Sequence, residues 1–339
     1  MVRRMHIKRI LAATSLAAGA MFSLNAHAET PTCELDRPIK FGGMNWESNL
    51  LIVDIERYIV EHGYGCKTDV EPGDTLPMFA ALQRGDVDIN AEVWSTQMQK
   101  AWDEAIAEGK IKQIGEVFSG TDGWYIPRYT AEKYPDLRKV ADLKGRHELF
   151  LDDEEPTKGR LYGCAVGWTC GNLSANLIKA FKLQDEYLVY SPGSSASQRA
   201  AITSAYKRKK DIVFYYWTPT SLAGSLDLVK LELPPVDEKA LECFKDAQCA
   251  DPQPTGIAPY TVKTAVNVKF ADSAPQLIAF LAKINFPEKT VTEVLGHMEN
   301  EGMEVEEAAL YFLKTHPDLW TKWVPADVAE RVRNKLAAS

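Results

Sequence analysis

Residues 39–94 read IKFGGMNWESNLLIVDIERYIVEHGYGCKTDVEPGDTLPMFAALQRGDVDINAEVW and decide the fold of this chain. Strand-like runs at 39–44, 67–71 and 87–93 alternate with helix-like runs at 48–62 and 73–84. Apolar residues recur at helical spacing in the first helical run, which predicts an amphipathic helix with one face in the core. A βαβαβ order of this kind predicts parallel strands joined by right-handed crossovers.

The alternation starts again after Trp124-Tyr125-Ile126-Pro127. The later elements are expected as strands at 160–163, 211–217 and 260–267, helices at 170–182 and 194–206, and an irregular stapled excursion at 233–253. About 310 residues exceed what one core supports. We therefore expect an α/β fold of two lobes, each a mainly parallel sheet flanked by helices, with two hinge crossovers. Residues 29–126 and 258–339 are assigned to lobe 1, and residues 127–257 to lobe 2.

The amino terminus has the features of a secretory signal peptide. Basic side chains lie between Arg3 and Arg9, an apolar stretch runs over 10–24, and Ala26-His27-Ala28 is a small-x-small cleavage site. A membrane anchor is the alternative, but the apolar stretch is short and interrupted by polar residues. The residue directly after the cut is not a cysteine, so a lipid anchor is not expected. Residues 1–28 are therefore predicted to be removed and the mature chain to be periplasmic.

The mature chain is acidic. Loss of the four basic side chains of the leader leaves 35 basic against 47 acidic side chains, a net charge of −12. An acidic surface without a basic stripe argues against nucleic acid as a partner.

Six cysteines in an exported chain predict disulfides. Fifteen pairings are possible. Spacing favours Cys164 with Cys170 and Cys243 with Cys249, and strand adjacency favours Cys33 with Cys66. A zinc site is the competing interpretation, but no histidine is spaced as a ligand to these cysteines, and we expect neither metal nor cofactor.

Tryptophan placement indicates a ligand site. Five of the eight tryptophans stand where a strand-like run gives way to a helix-like run: Trp46, Trp94, Trp124, Trp168 and Trp217. In open α/β sheets, ligands bind at this junction. Indole faces gathered there can enclose a cation that has no hydrogen-bond donors. Taken singly, each ring is as readily explained by core packing, and Trp102, Trp320 and Trp323 are expected to be structural.

The loop GCAVGWTCG, residues 163–171, predicts a second recognition element. It leads into a helix whose first backbone amides, at Thr169 and Cys170, face outward with the positive end of the helix dipole. Such a terminus accepts a carboxylate, and a bridge from Cys164 to Cys170 would keep the loop rigid. A purely structural disulfide is the alternative.

From Ile39 to about Val324 the sequence resembles the substrate-binding proteins of ABC importers for glycine betaine, choline and related osmoprotectants. The most specific stretches are Gly167-Trp168 between its two cysteines and Tyr215-Tyr216-Trp217-Thr218-Pro219. The resemblance to the betaine branch implies a cage of Trp94, Trp168 and Trp217, with the amides of Thr169 and Cys170 on the carboxylate. The choline branch implies Trp46, Trp94 and Trp217, with Trp124 or Tyr125 closing the box.

The chain also departs from both branches. No histidine follows Trp94 or Trp217 closely, so the carboxylate clamp is weaker or is completed by hydroxyls and Gln97. Ser48 stands where the choline branch has an aspartate. Glu47 and Glu92 lie next to cage positions, and each could face the cation or could be a solvated or capping residue.

These observations predict a monomeric periplasmic receptor that delivers a quaternary ammonium compound to the membrane subunits of an ABC importer. Glycine betaine, choline, carnitine and proline betaine are the candidate ligands. A receptor for an amino acid such as proline or histidine is the alternative, with Glu47 or Glu92 meeting the amine. A secreted hydrolase of choline-like substrates is a third hypothesis. No Gly-x-Ser-x-Gly elbow is present and histidines are few, so no catalytic constellation is found.

Overall fold

The structure, a computed structural model, describes residues 33–338, and the predicted signal peptide lies outside the described residues. Within residues 33–338 the chain forms nine strands: β1 (Ile39–Met44), β2 (Thr68–Gly73), β3 (Ile89–Val93), β4 (Ile111–Pro127), β5 (Gly159–Tyr162), β6 (Tyr187–Tyr190), β7 (Val213–Thr218), β8 (Leu228–Lys230) and β9 (Tyr260–Asn267).

The same residues form fourteen α-helices: α1 (Glu47–Gly63), α2 (Thr75–Arg84), α3 (Gln99–Ala107), α4 (Arg128–Lys133), α5 (Cys170–Ala180), α6 (Ser195–Lys207), α7 (Ser221–Ser225), α8 (Glu238–Lys245), α9 (Val268–Ser273), α10 (Pro275–Leu281), α11 (Glu288–Glu301), α12 (Val305–Thr315), α13 (Pro317–Trp320) and α14 (Ala326–Ala337). One-turn 3-10 helices lie at Ser95–Met98, Val140–Leu143 and His147–Phe150. None of the helices between residues 33 and 338 is both long and apolar enough to cross a bilayer.

The strands follow one another in the order β2-β1-β3-β9-β4-β7-β5-β6, with β8 beside the end of β4. Strands β2, β1 and β3 are parallel to one another, and so are β6, β5 and β7. These two groups confirm the parallel strands predicted from the βαβ pattern. Antiparallel strands β9 and β4 join the groups, which the sequence pattern did not indicate.

Strand β4 connects the two groups along its own length. Residues 111–120 pair with β9, and residues 121–125 pair with β7. Its register shifts twice, near Gly115 and again before Phe118. Glycines at 115, 120 and 123 and these irregularities interrupt the apolar alternation that marks a strand, so the element was not predicted. The assignment of 29–126 with 258–339 to one lobe and 127–257 to the other stays a prediction.

Helix α1 is an example of an element that forms where the apolar pattern of the sequence predicts it. Leu51, Ile52, Ile55 and Ile59 recur at helical spacing and are all buried. Their face packs on β1, α12 and α14, so burial of apolar surface fixes the helix against the sheet. Trp102, Trp320 and Trp323 are buried as well, in line with their expected packing role.

The stapled excursion at 233–253 differs from its prediction. Instead of being irregular throughout, it contains α8, whose first turn is capped by the Asp237 carboxylate accepting from the amides of Lys239 (3.0 Å) and Ala240 (3.1 Å). The neighbouring prolines and cysteine spacing hid this short helix. All three predicted disulfides are present: Cys33–Cys66, Cys164–Cys170 and Cys243–Cys249. No group of three or more potential metal ligands occurs in the part of the chain that the structure describes.

Candidate functional site

A cavity of about 340 Å³ opens at the carboxyl ends of the parallel strands. We call it the tryptophan cavity, and its wall consists of Trp46, Thr75, Trp94, Gln97, Trp168, Thr169, Cys170, Tyr215 and Trp217. Trp46 follows β1, Trp94 follows β3, the loop after β5 carries Trp168, and Trp217 is near the end of β7.

The four indoles contact one another and their neighbours edge to face. Trp168 lies 5.0 Å from Trp217 and 5.6 Å from Trp46, between ring centroids, with interplanar angles of 88° and 77°. Trp94 is 5.5 Å from Tyr260 at an angle of 70°. Edge-to-face contacts stabilise each ring while leaving ring faces of different orientation toward the cavity.

One carboxylate holds two of these indoles. Oε1 of the buried Glu92 accepts hydrogen bonds from Nε1 of Trp46 (2.8 Å), from Nε1 of Trp94 (2.8 Å) and from the hydroxyl of Ser48 (3.2 Å). Burial raises the pKa of Glu92 to about 7, although these three hydrogen bonds work in the opposite direction. The Glu92 side chain is fully buried and is not part of the wall of the tryptophan cavity. Glu92 therefore has neither of the roles that the sequence left open, and it anchors two of the indoles that line the cavity.

A second buried carboxylate lies behind the polar part of the wall. Oδ2 of Asp122 accepts hydrogen bonds from Nε2 of Gln97 (3.1 Å) and from the hydroxyl of Tyr215 (3.0 Å). Burial raises the pKa of Asp122 to about 6, opposed by the Tyr215 hydroxyl and by the charge of Lys230. Asp122 thus fixes the side chains of Gln97 and Tyr215, which line the cavity.

Thr169 and Gln97 connect the two sides of the tryptophan cavity. The Thr169 hydroxyl donates to Oε1 of Gln97 at 2.5 Å, and Nε2 of Gln97 is already bonded to Asp122. Both ends of the Gln97 amide therefore have partners within the protein, which leaves it less available to complete a carboxylate clamp than the sequence suggested. Thr169 and Cys170 line the cavity at the amino terminus of α5, as predicted.

The loop before α5 approaches the first group of strands closely. Gly167 has φ +89°, a left-handed conformation that favours glycine. A Cβ at this position would lie 3.2 Å from Cβ of Asp74, the residue before α2. The glycine thus allows the loop to bring Trp168 to the cavity.

Two predicted site residues lie outside the cavity wall. Trp124 and Tyr125 are not at a loop mouth, because β4 continues through them and pairs with β7. Trp124 is fully buried opposite Tyr215, and Tyr125 stacks on Phe214 at 6.3 Å. Neither ring closes the box in this structure.

Glu47 also lies away from the cavity. Its carboxylate forms an ion pair with Arg199 and accepts a hydrogen bond from the hydroxyl of Ser221. Arg199 contacts Glu299 as well, at 2.9 Å. Glu47 therefore joins the start of α1 to α6 and α7 and does not meet a bound cation.

Three contributors to the site were missed. Thr75 and Tyr215 line the tryptophan cavity, and Tyr215 belongs to a stretch that was singled out for its aromatic residues. Gly120 makes room for Trp94: a Cβ there would lie 2.4 Å from Cη2 of the indole. No local signal identifies Gly120, because its chain neighbours, a serine and a threonine, are polar and further glycines lie at 115 and 123.

Known proteins resemble this chain throughout the region that builds the site. The family model described as the substrate-binding domain of ABC-type glycine betaine transport systems matches residues 37–315. The trimethylamine N-oxide-binding protein of Pelagibacter ubique is 24% identical over 291 residues, which cover 84% of this chain and 90% of that protein. The glycine betaine/proline betaine-binding periplasmic protein of Escherichia coli is 24% identical over 254 residues, which cover 72% and 73%.

Solved structures agree on the fold. An ABC-transporter choline-binding protein in complex with choline superposes with a TM-score of 0.71 at 19% identity, over 88% of this chain and 98% of that chain. This likeness shows a shared α/β fold, in agreement with the fold class that the sequence predicted.

Proposed function

Because the chain belongs to the family of substrate-binding domains of ABC-type glycine betaine transport systems, we propose that its tryptophan cavity captures a small quaternary ammonium compound. The protein then delivers this compound to the membrane subunits of its importer. Glycine betaine is the ligand that the wall fits best, and proline betaine, carnitine and choline are close alternatives.

The observation that carries this proposal is the convergence of four indoles on one cavity of about 340 Å³. A trimethylammonium group offers polarised methyls and no hydrogen-bond donor, so ring faces bind it better than polar acceptors do. Each cation–π contact contributes about 0.5 to 2 kcal/mol. Four contacts at the upper end of this range sum to roughly −8 kcal/mol, which corresponds to micromolar affinity.

The rest of the wall supports a ligand with an anionic end. Thr169 and Cys170 lie at the amino terminus of α5, where free amides and the helix dipole favour a carboxylate. When ionised, Glu92 behind two indoles and Asp122 behind the polar part of the wall supply negative charge that complements the ammonium group. A zwitterionic betaine satisfies both ends, whereas an amino acid presents an ammonium N–H that finds no acceptor among these ring faces.

The proposed setting follows from the family and from the leader of the chain. The mature protein is periplasmic and monomeric, with lobes 29–126 plus 258–339 and 127–257 that close over the ligand, and it binds without turnover. The E. coli relative is a periplasmic protein by name, which supports this location.

Calorimetry on the mature protein tests the proposal. We expect micromolar or tighter binding of glycine betaine. The affinities for choline, carnitine, proline betaine and trimethylamine N-oxide should be lower. Proton NMR of the recovered ligand should show it unchanged after prolonged incubation. Proline and histidine serve as controls for an amino-acid receptor. Absence of binding by all five methylated compounds, or binding of proline alone, would overturn the ligand class.

A further inference from the structure

A second enclosed space lies beside the tryptophan cavity, and the proposed function does not use it. Its volume is about 400 Å³, close to the 340 Å³ of the tryptophan cavity. We call it the annex. Its wall is mostly apolar and includes Leu173, Leu241, Phe244, Ala258, Pro259 and Tyr260.

The stapled excursion builds one side of the annex as a fixed wall. Leu241 and Phe244 are three residues apart on α8, and both are buried. Nδ2 of Asn176, on α5, donates to the backbone carbonyls of Phe244 (3.1 Å) and Asp246 (2.9 Å), which secures the carboxyl end of α8. The Cys243–Cys249 disulfide closes the same segment. A wall held at both ends by side chains and covalently closed keeps its shape without a ligand.

Two side chains form a partition between the annex and the tryptophan cavity. Gln97 and Thr169 belong to the walls of both spaces. The bond between them is the 2.5 Å hydrogen bond from the Thr169 hydroxyl to Oε1 of Gln97. Both side chains can rotate to open a passage, and the hydrogen bond between them is then lost, which reduces the gain in affinity from a purely alkyl tail.

Resting on the proposed function, we propose that the annex is a second subsite. It receives the apolar tail of a quaternary ammonium ligand whose cationic head lies in the tryptophan cavity. The ligand class is therefore a trimethylammonium compound with an alkyl or acyl extension of about four carbons, crossing between Gln97 and Thr169. The apolar wall made by Leu173, Leu241 and Phe244 selects such a tail over a charged one.

A series of alkyltrimethylammonium ions tests this subsite by calorimetry. Burial of one methylene contributes about fourfold in affinity. We expect butyltrimethylammonium to bind at least about tenfold more tightly than tetramethylammonium, because its three added methylenes enter the annex. Ala258→Leu fills the annex and should abolish that gain while leaving glycine betaine affinity within about threefold, since the cavity of the cationic head is untouched.

Ala250→Leu is the matched control, because it makes the same exchange at an exposed position after Cys249 and should retain the full gain. Leu241→Ala enlarges the annex and should shift the preference from butyl to hexyl. Equal binding of the butyl and tetramethyl ions by the wild type would overturn the subsite, as would an undiminished gain in Ala258→Leu. Glycine betaine separates the two proposals: if it binds while the butyl ion gains nothing, only the annex fails.

Discussion

The two pairs of cage tryptophans are held in different ways. Trp46 and Trp94, the first pair, follow β1 and β3, and both donate their indole N–H to the same oxygen of Glu92. Trp168 and Trp217 are the second pair. Trp168 lies in the loop after β5, Trp217 lies near the end of β7, and their ring centroids are 5.0 Å apart. Nε1 of Trp168 is buried and has no hydrogen-bond partner among residues 33–338. The indoles of the first pair therefore have hydrogen bonds to one carboxylate in addition to their ring contacts, whereas the Trp168 indole is held by ring contacts alone.

This difference divides the binding task between the pairs. A buried hydrogen bond fixes both the distance and the angle of an indole, and its loss costs about 1 to 3 kcal/mol when a partner is left unsatisfied. An edge-to-face contact contributes about 0.5 to 1.5 kcal/mol and tolerates rotation. We infer that the first pair is preorganised for the cation, while the second pair adjusts when the ligand arrives.

Truncation of one ring from each pair should show the largest effect. Trp94→Ala removes a ring face and leaves Glu92 with one indole donor, so we expect glycine betaine affinity to fall at least about tenfold. Trp168→Ala removes a ring face alone and should cost less. Calorimetry measures both. Trp102→Phe, a change in a buried tryptophan outside the cavity, is the control and should bind normally. A larger loss in Trp168→Ala than in Trp94→Ala would reverse the comparison.

Gly120 gives a way to disturb the first pair without removing a ring. In Gly120→Ala the new Cβ would meet Cη2 of Trp94 at 2.4 Å and the carbonyl oxygen of Thr218 at 3.1 Å. Overpacking of this kind costs about 1 to 3 kcal/mol. We expect the strain to turn Trp94 and to weaken binding about fivefold to tenfold, measured by calorimetry.

A glycine away from the cage provides the control for that variant. Gly296→Ala adds the same methyl group on α11, where no heavy atom of the described residues outside the backbone of its own helix lies within 4 Å of the new Cβ. It should retain wild-type affinity. Normal binding by Gly120→Ala would mean that Trp94 does not need its present orientation, and the first pair would then be no more preorganised than the second.

Four of the tryptophans that the sequence singled out line the cavity, and their signals are local, while their role as a cage stays a prediction. Each of Trp46, Trp94 and Trp168 follows a short apolar run that ends at a turn, and the carboxyl ends of parallel strands meet at one edge of a sheet. Trp124 has the same local appearance, yet β4 continues past it. Strand β4 continues past Trp124 because it pairs there with β7, which is distant in the sequence. Local residue spacing cannot reveal such pairing.

The way the indoles are held was not predictable for a related reason. Glu92 reaches both Trp46 and Trp94 only because β1 and β3 are neighbours and its side chain turns inward. A carboxylate beside a cage position is equally consistent with a solvated residue, and the sequence left both roles open. Gln97 also has both ends of its amide occupied by partners far along the chain. Such networks depend on tertiary contacts and side-chain rotamers.

Glu92→Gln separates the charge of Glu92 from its role as an acceptor. An amide oxygen still accepts from two indoles, so the first pair should keep its orientation. Loss of the negative charge behind the rings removes on the order of 1 kcal/mol of attraction for the cation, about fivefold in affinity. The unfolding free energy at pH 8 should rise or stay equal, because burial of the ionised carboxylate opposes folding. Chemical denaturation and calorimetry measure the two effects, and a loss of both would show that the amide fails to hold the indoles.

The change of stability with pH should be the smallest of these effects, but its direction is clearly predicted. Burial raises the pKa of Glu92 from its ordinary 4.5 to about 7, so the folded chain binds a proton more tightly than the unfolded chain does. This contribution to stability is complete below about pH 4.5 and is lost as pH rises through 7. Asp122, with its pKa raised to about 6, acts with the same sign over a lower range. The melting temperature of the ligand-free protein should therefore decrease from pH 5 to pH 8.

Ligand affinity should change in the opposite direction. A cation in the tryptophan cavity favours ionised Glu92, so glycine betaine should bind up to about fivefold more tightly at pH 8 than at pH 5. Binding near pH 7 should release protons, which calorimetry in buffers of different ionisation enthalpy detects. In Glu92→Gln both slopes should shrink, and the remaining decrease in melting temperature should come from the other buried carboxyls, Glu56, whose pKa burial raises to about 8, and Asp122. If affinity instead decreased with pH, the charge on the carboxylate that anchors the first pair would not assist capture, and the two pairs would differ in geometry alone.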